Sequence, residues 1–158
     1  MFSRKGGDAV RRKKAAVLAL VMLALCAVSY TVVGNPAVAL HNRQVKAAFT
    51  AVEDGETVTL NGTIPFAWDR VYTVGPYAQR EEIAQMIGFD SPEIKENNVS
   101  EGMVHLLFVE DGKVTASILG AGGALGFRIE FPSVVNFEEK TPFLASKADG
   151  VVTLTCAG

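Results

Sequence analysis

A run of 19 residues without a formal charge, Ala15 to Val33, constrains this chain more than any other feature. At about 1.5 Å per residue, a helix of that length just crosses a bilayer core of roughly 30 Å. Six cations precede it, Arg4, Lys5, Arg11, Arg12, Lys13 and Lys14, and Gly34-Asn35-Pro36-Ala37-Val38-Ala39 follows. A basic flank, an apolar run and a breaker leading into Ala-x-Ala form the layout of an export signal. By the positive-inside rule the basic end stays cytoplasmic, so the remaining chain is expected on the far side of a membrane. Three fates fit the leader: cleavage after Ala39, retention as a transmembrane anchor, or acylation at Cys26. The third uses Leu23-Ala24-Leu25-Cys26 as a lipobox, although Leu25 stands where a small residue is usual. The chain thus divides into residues 1–39, a signal peptide or anchor, and one exported domain over 40–158.

Removing the leader reverses the apparent charge balance. The 119 residues after Ala39 carry nine Lys and Arg against 16 Asp and Glu, a net charge of −7. An acidic domain is repelled by nucleic acid and by anionic headgroups, which argues against both as partners. The partners expected are the membrane, through the N-terminal segment, and an envelope protein or cell-wall component. The size suits one domain with one core. Cys156 is the single cysteine after the leader, so no disulfide closes within the domain and packing must hold it together. It is expected as a small buried residue of the last strand.

Residues Leu40 to Val52 read as a helix, with Val45, Ala48, Phe49 and Val52 at i, i+3, i+4 and i+7. Thr57 to Leu60 alternates and meets Asn61-Gly62, which predicts a hairpin turn. A strand is expected over 69–74. Arg80 to Ile87 reads as a short helix, with Glu81 and Glu82 at its positive end and Gly88 as its stop. Residues 90–102 read as an exposed loop. From Met103 the pattern is all β: a near-continuous apolar strand to Val109, a turn at Glu110 to Lys113, and a return over Val114 to Leu119. An alternating strand over Leu125 to Phe131 follows, and a hairpin through Asp149-Gly150 ends at Cys156. Short turns without crossover helices predict antiparallel pairing. The expected fold is α+β: one antiparallel sheet of five or six strands with two short helices on one face.

Few motifs carry chemistry. Gly120-Ala121-Gly122-Gly123-Ala124-Leu125-Gly126 mimics a dinucleotide loop, but such a loop opens a helix, and here a strand follows. His41 and His105 lack the spacing of a metal site, and His105, inside the most apolar strand, reads as a satisfied core histidine. The many acids match no D-x-D-x-D-G loop, and no G-x-S-x-G elbow occurs. No cofactor, metal or catalytic residue is expected from this pattern.

The distinctive patch is Trp68-Asp69-Arg70-Val71-Tyr72 with Gly75-Pro76-Tyr77, which holds the only tryptophan and two of three tyrosines. Its candidate binding residues are Trp68, Asp69, Arg70, Tyr72 and Tyr77, since Trp, Tyr and Arg are enriched in recognition surfaces. Strand alternation places Trp68 and Tyr72 on one face with Arg70 between them. W-D-x-V-Y, G-P-Y and the following E-E-I helix resemble a group of small, uncharacterised bacterial envelope proteins with a basic-apolar leader and one compact domain. The resemblance implies bacterial export and no particular activity. The expected function is a non-enzymatic binding domain at the envelope; the alternative is a small carboxylate-dependent hydrolase using Asp69 with a second acid.

Overall fold

The computed structural model describes residues 14–24, 35–96 and 102–157. The chain forms two compact units, Met1–Pro36 and Ala37–Gly158. In the first, residues 14–24 are helical and exposed. Among the described residues no helix is long and apolar enough to cross a membrane. The expected span of 15–33 runs beyond the described residues from 25 onward, and Cys26 lies outside them.

The second unit opens with α1 (Pro36–Thr50). Pro36 suits a helix start, because its fixed φ is already helical and its missing N–H is one the first turn leaves unpaired. The helix therefore begins four residues before the expected Leu40, and Ala37-Val38-Ala39 forms its first turn. Eight strands follow: β1 (Thr57–Thr59), β2 (Arg70–Thr73), β3 (Met103–Glu110), β4 (Lys113–Ala121), β5 (Phe127–Glu130), β6 (Val134–Asn136), β7 (Pro142–Ala148) and β8 (Val151–Cys156). A second helix, α2 (Arg80–Ile87), lies between β2 and β3.

The fold is α+β and mostly antiparallel, but the strands form two sheets of four rather than one of five or six. The first has order β1-β7-β8-β5, and its β5–β8 pair is parallel; the second has order β4-β3-β2-β6. Alternation in β3 explains the doubling. Val104, Leu106 and Phe108 face a core shared with Phe127, Ile129, Phe143, Ala145, Val152 and Leu154 of the first sheet. Leu107 and Val109 face the other way, into a smaller cluster closed by Ile83 and Ile87 of α2 and by Ile94. A strand apolar on both sides needs two covers, and here one is a sheet and the other a helix. The two helices consequently do not share a sheet face: Val45 and Phe49 of α1 enter the main core, whereas α2 closes the smaller one.

Local signals hold in most elements. α2 has the expected bounds, with Gln79 as its N-cap and its N–H donating to Glu82 Oε2 at 3.1 Å. Gly88 ends it at φ +91°, a left-handed conformation that glycine adopts without Cβ strain. Asp111-Gly112 turns β3 into β4 with φ of 47° and 68°, the positive pair of a type I′ hairpin. The Asn61-Gly62 hairpin does not form: Leu60–Thr63 is one helical turn, and β1 pairs with β7 instead. The glycine run also contains a helical turn, Gly122–Leu125, too short to orient a pyrophosphate. An added Cβ at Gly122 would stand 2.6 Å from the Arg128 side chain, so this glycine serves close packing. The segment 90–96 is docked rather than loose. Arg80 pairs with Asp90 at 2.9 Å and donates to the carbonyls of Ser91 and Ile94 at 2.6 and 3.2 Å. Cys156 is a free thiol, half-buried in β8 against the main core.

Candidate functional site

β2 begins at Arg70, and that start decides the fate of the aromatic patch. Trp68 precedes the strand and is 3% exposed in the main core, edge-on to Phe108 and Phe137. Tyr72 is 6% exposed in the smaller cluster. The two aromatics therefore do not share a face, contrary to the alternation counted from Trp68. Trp68 anchors the core, but its indole Nε1 has no hydrogen-bond partner among the described residues. Tyr77 is exposed in a left-handed conformation, φ 66°, unusual for a residue with a bulky side chain.

Three of the five candidates do converge. Asp69, Arg70 and Tyr72 line an open concavity of about 330 Å³ whose apolar walls are Ile87, Phe89 and Val109. Arg70 and Tyr72 are i, i+2 neighbours on the α2-facing side of β2, and Arg70 Nη1 reaches Tyr72 Oη at 3.5 Å, a long and weak contact. That contact, above all, shifts the guanidinium further toward its charged form. The described residues hold one ion pair, Arg80–Asp90, so Arg70 has no carboxylate partner among them. Asp69 is committed elsewhere. Its Oδ2 accepts the Asp111 N–H at 2.8 Å, its N–H donates to Val109 O at 2.7 Å, and its carbonyl accepts from Phe137 N at 2.8 Å. It staples the β3–β4 turn to the start of β2. Among the described residues Asp69 is the single acid in the lining.

His105 is buried at 1% exposure, yet among the described residues neither ring nitrogen has a hydrogen-bond partner, so the expected satisfied histidine is an orphaned one. Burial, and secondarily the charge of Lys95, lowers its pKa to about 4. Among the described residues no group of three or more His, Cys, Asp or Glu is placed to hold a metal.

Sequence reasoning missed the wall residues Ile87, Phe89 and Val109. The first two lie at the end of α2, and nothing in the chain announces that this helix returns to β2. It also missed a second cleft at the outer edge of β4. There Asn42 Oδ1 accepts the Ser117 N–H at 2.8 Å, Lys95 Nζ donates to Ser117 O at 2.9 Å, and His41 Nδ1 meets Thr115 O at 2.8 Å. His41 is itself stacked on Phe66, with ring centroids 4.0 Å apart. The only sequence trace of this cleft is the polar face of α1. No family model, curated protein or solved structure matches the chain.

Proposed function

We propose that the chain is a non-enzymatic binding domain of the cell envelope, held at or exported across a membrane by its leader. It grips a carboxylate-bearing envelope protein or cell-wall component through Arg70. The observation that carries this reading is the Arg70 guanidinium, exposed beside an apolar-walled concavity and ion-paired with no carboxylate among the described residues, the neighbouring Asp69 being bound to the Asp111 N–H. A planar guanidinium engages a carboxylate with two parallel hydrogen bonds, and apolar walls beside it exclude competing water. The aromatic patch contributes through Tyr72, which braces the guanidinium, while Trp68 serves the core. The hydrolase alternative has less support, since Asp69 is engaged by the Asp111 backbone and no second acid among the described residues lines the concavity.

The test is photocrosslinking in intact cells with a photoreactive residue at Phe89, on the concavity wall, or at Leu144, on the exposed face of the first sheet. A discrete adduct from position 89, absent from 144 and lost in Arg70→Glu, is the expected result. Adducts indifferent to Arg70→Glu, or equal from both positions, overturn the assignment.

A further inference from the structure

The cleft at the β4 edge gathers Arg43 and Lys46 from α1 and Lys95 from the segment after α2, above a floor of Ile118, Leu119 and Leu125. Its volume is about 230 Å³. Arg43 and Lys46 are three apart on one helix and so project from the same side. Among the described residues none of the three cations has a carboxylate within ion-pairing distance, in a domain where acids outnumber bases 16 to nine. Glu93 and Glu96 flank Lys95 in sequence, but neither lines the cleft. Three of the nine bases thus meet where no acid of the described residues answers them, and like charges held together cost free energy unless an anion joins them.

The ammonium groups are positioned rather than loose. Lys46 Nζ donates to Ala124 O at 3.1 Å and Lys95 Nζ to Ser117 O at 2.9 Å. Each ammonium keeps further protons for a ligand, because Lys carries three donors. Ser117 is closed to the ligand: its N–H goes to Asn42, its carbonyl accepts from Lys95, and its hydroxyl donates to Glu93 O at 2.7 Å. The floor is therefore apolar and the rim cationic. The glycine run supplies one wall, because the helical turn after β4 places Leu125 and the Ala124 carbonyl at the cleft.

From this arrangement we infer that the cleft binds a small amphipathic anion, one oxyanion head on an apolar arm of a few carbon atoms. The head meets Arg43, Lys46 and Lys95, and the arm lies on Ile118, Leu119 and Leu125. The volume is below the roughly 300–1,000 Å³ of drug-sized sites, which favours a compact molecule over a diacyl lipid. This site is separate from the Arg70 concavity, with which it shares no lining residue.

The test is an amide chemical-shift titration of the full chain with hexyl phosphate, hexanoate, inorganic phosphate and hexanol. Saturable shifts at Ser117, Ile118 and Leu119 are expected with the two amphipathic anions, and the tighter of them identifies the head as phosphate or carboxylate. Inorganic phosphate should bind at least tenfold more weakly and hexanol not measurably. Lys46→Glu should weaken the better anion tenfold or more and Lys46→Gln by less, while Lys147→Glu and Arg70→Glu should leave it unchanged. No saturable shift with either amphipathic anion, hexanol binding as well as the anions, or an equal loss in Lys147→Glu would overturn the inference.

Discussion

The two faces of β3 are built from adjacent residues yet live in different surroundings. Leu106 and Leu107 are both fully buried; the first faces the shared core between the sheets, and the second faces α2. The inter-sheet face is apolar throughout, with Val104, Phe108, Ala116 and Ile118 in one cluster. The other face carries the polar groups, His105, Ser117 and the Tyr72 phenol, under a cover of one eight-residue helix and the segment after it. Both concavities open along the margins of that cover, one at Ile87 and Phe89, the other at Lys95. The short helix leaves its rim open at two places; the inter-sheet face opens at one margin, a concavity of about 200 Å³ between Met103 and Val104 of one sheet and Arg128 to Glu130 of the other.

The sharpest way to break this comparison is a matched pair of truncations. Leu106→Ala should cost about 4 kcal/mol, because two sheets cannot close on the cavity, and Leu107→Ala only about 2–3 kcal/mol, because α2 can settle into it. Urea denaturation measures both, and an equal or larger loss in Leu107→Ala would deny that the α2 cover is the softer one. The next effect concerns acid. His105 is neutral when folded, with a pKa of about 4, below the 6.5 of an exposed histidine. The unfolded chain thus binds the proton first, and stability is full above pH 6.5, falls as pH drops toward 4, and levels off below that. The loss should be on the order of 2 kcal/mol and absent in His105→Leu, as shown by urea midpoints at pH 7 and pH 4.5. Removing the orphaned ring should also stabilise the protein at pH 7 by about 1 kcal/mol. The next test is to start the chain at Leu40. That form keeps His41, Asn42, Val45 and Phe49 but loses the first turn of α1 with its buried Val38, so it should cost about 2 kcal/mol, read as a lower thermal midpoint. Asp69→Ala should cost about 1 kcal/mol through loss of the bond to the Asp111 N–H, with hydrogen exchange at Asp111 accelerating.

What could be read from the chain was local. The i, i+3, i+4 stripe of α1, the acid-started and glycine-stopped α2, and the Asp111-Gly112 turn all depend on neighbours within a few residues. Three strands of the second sheet were legible, but β6 was not, because Val134 to Asn136 is too short to announce a strand and exists through its pairing with β2. Nor was the parallel β5–β8 pair, whose register joins Phe127 to Val152 across 25 residues. Asn61-Gly62 failed as a hairpin because the partner of β1 lies far along the chain at β7, so no tight turn was required. At the candidate site, Arg70 and Tyr72 were rightly joined, being i, i+2 on one strand. Trp68 was misplaced because the strand starts two residues after it. His105 looked satisfied because interior polar groups usually are, and no sequence pattern reveals the exception.

The order of the first sheet has a kinetic consequence. β8 lies between β7 and β5, so the last strand made is an interior one; β5 has no edge to join until it arrives, and β1 has none until β7 is made. Pairings between residues far apart in the chain form late, after costly loop closure. During synthesis the first sheet therefore stays open until β7 and β8 exist, while the β3–β4 hairpin of the second can already close.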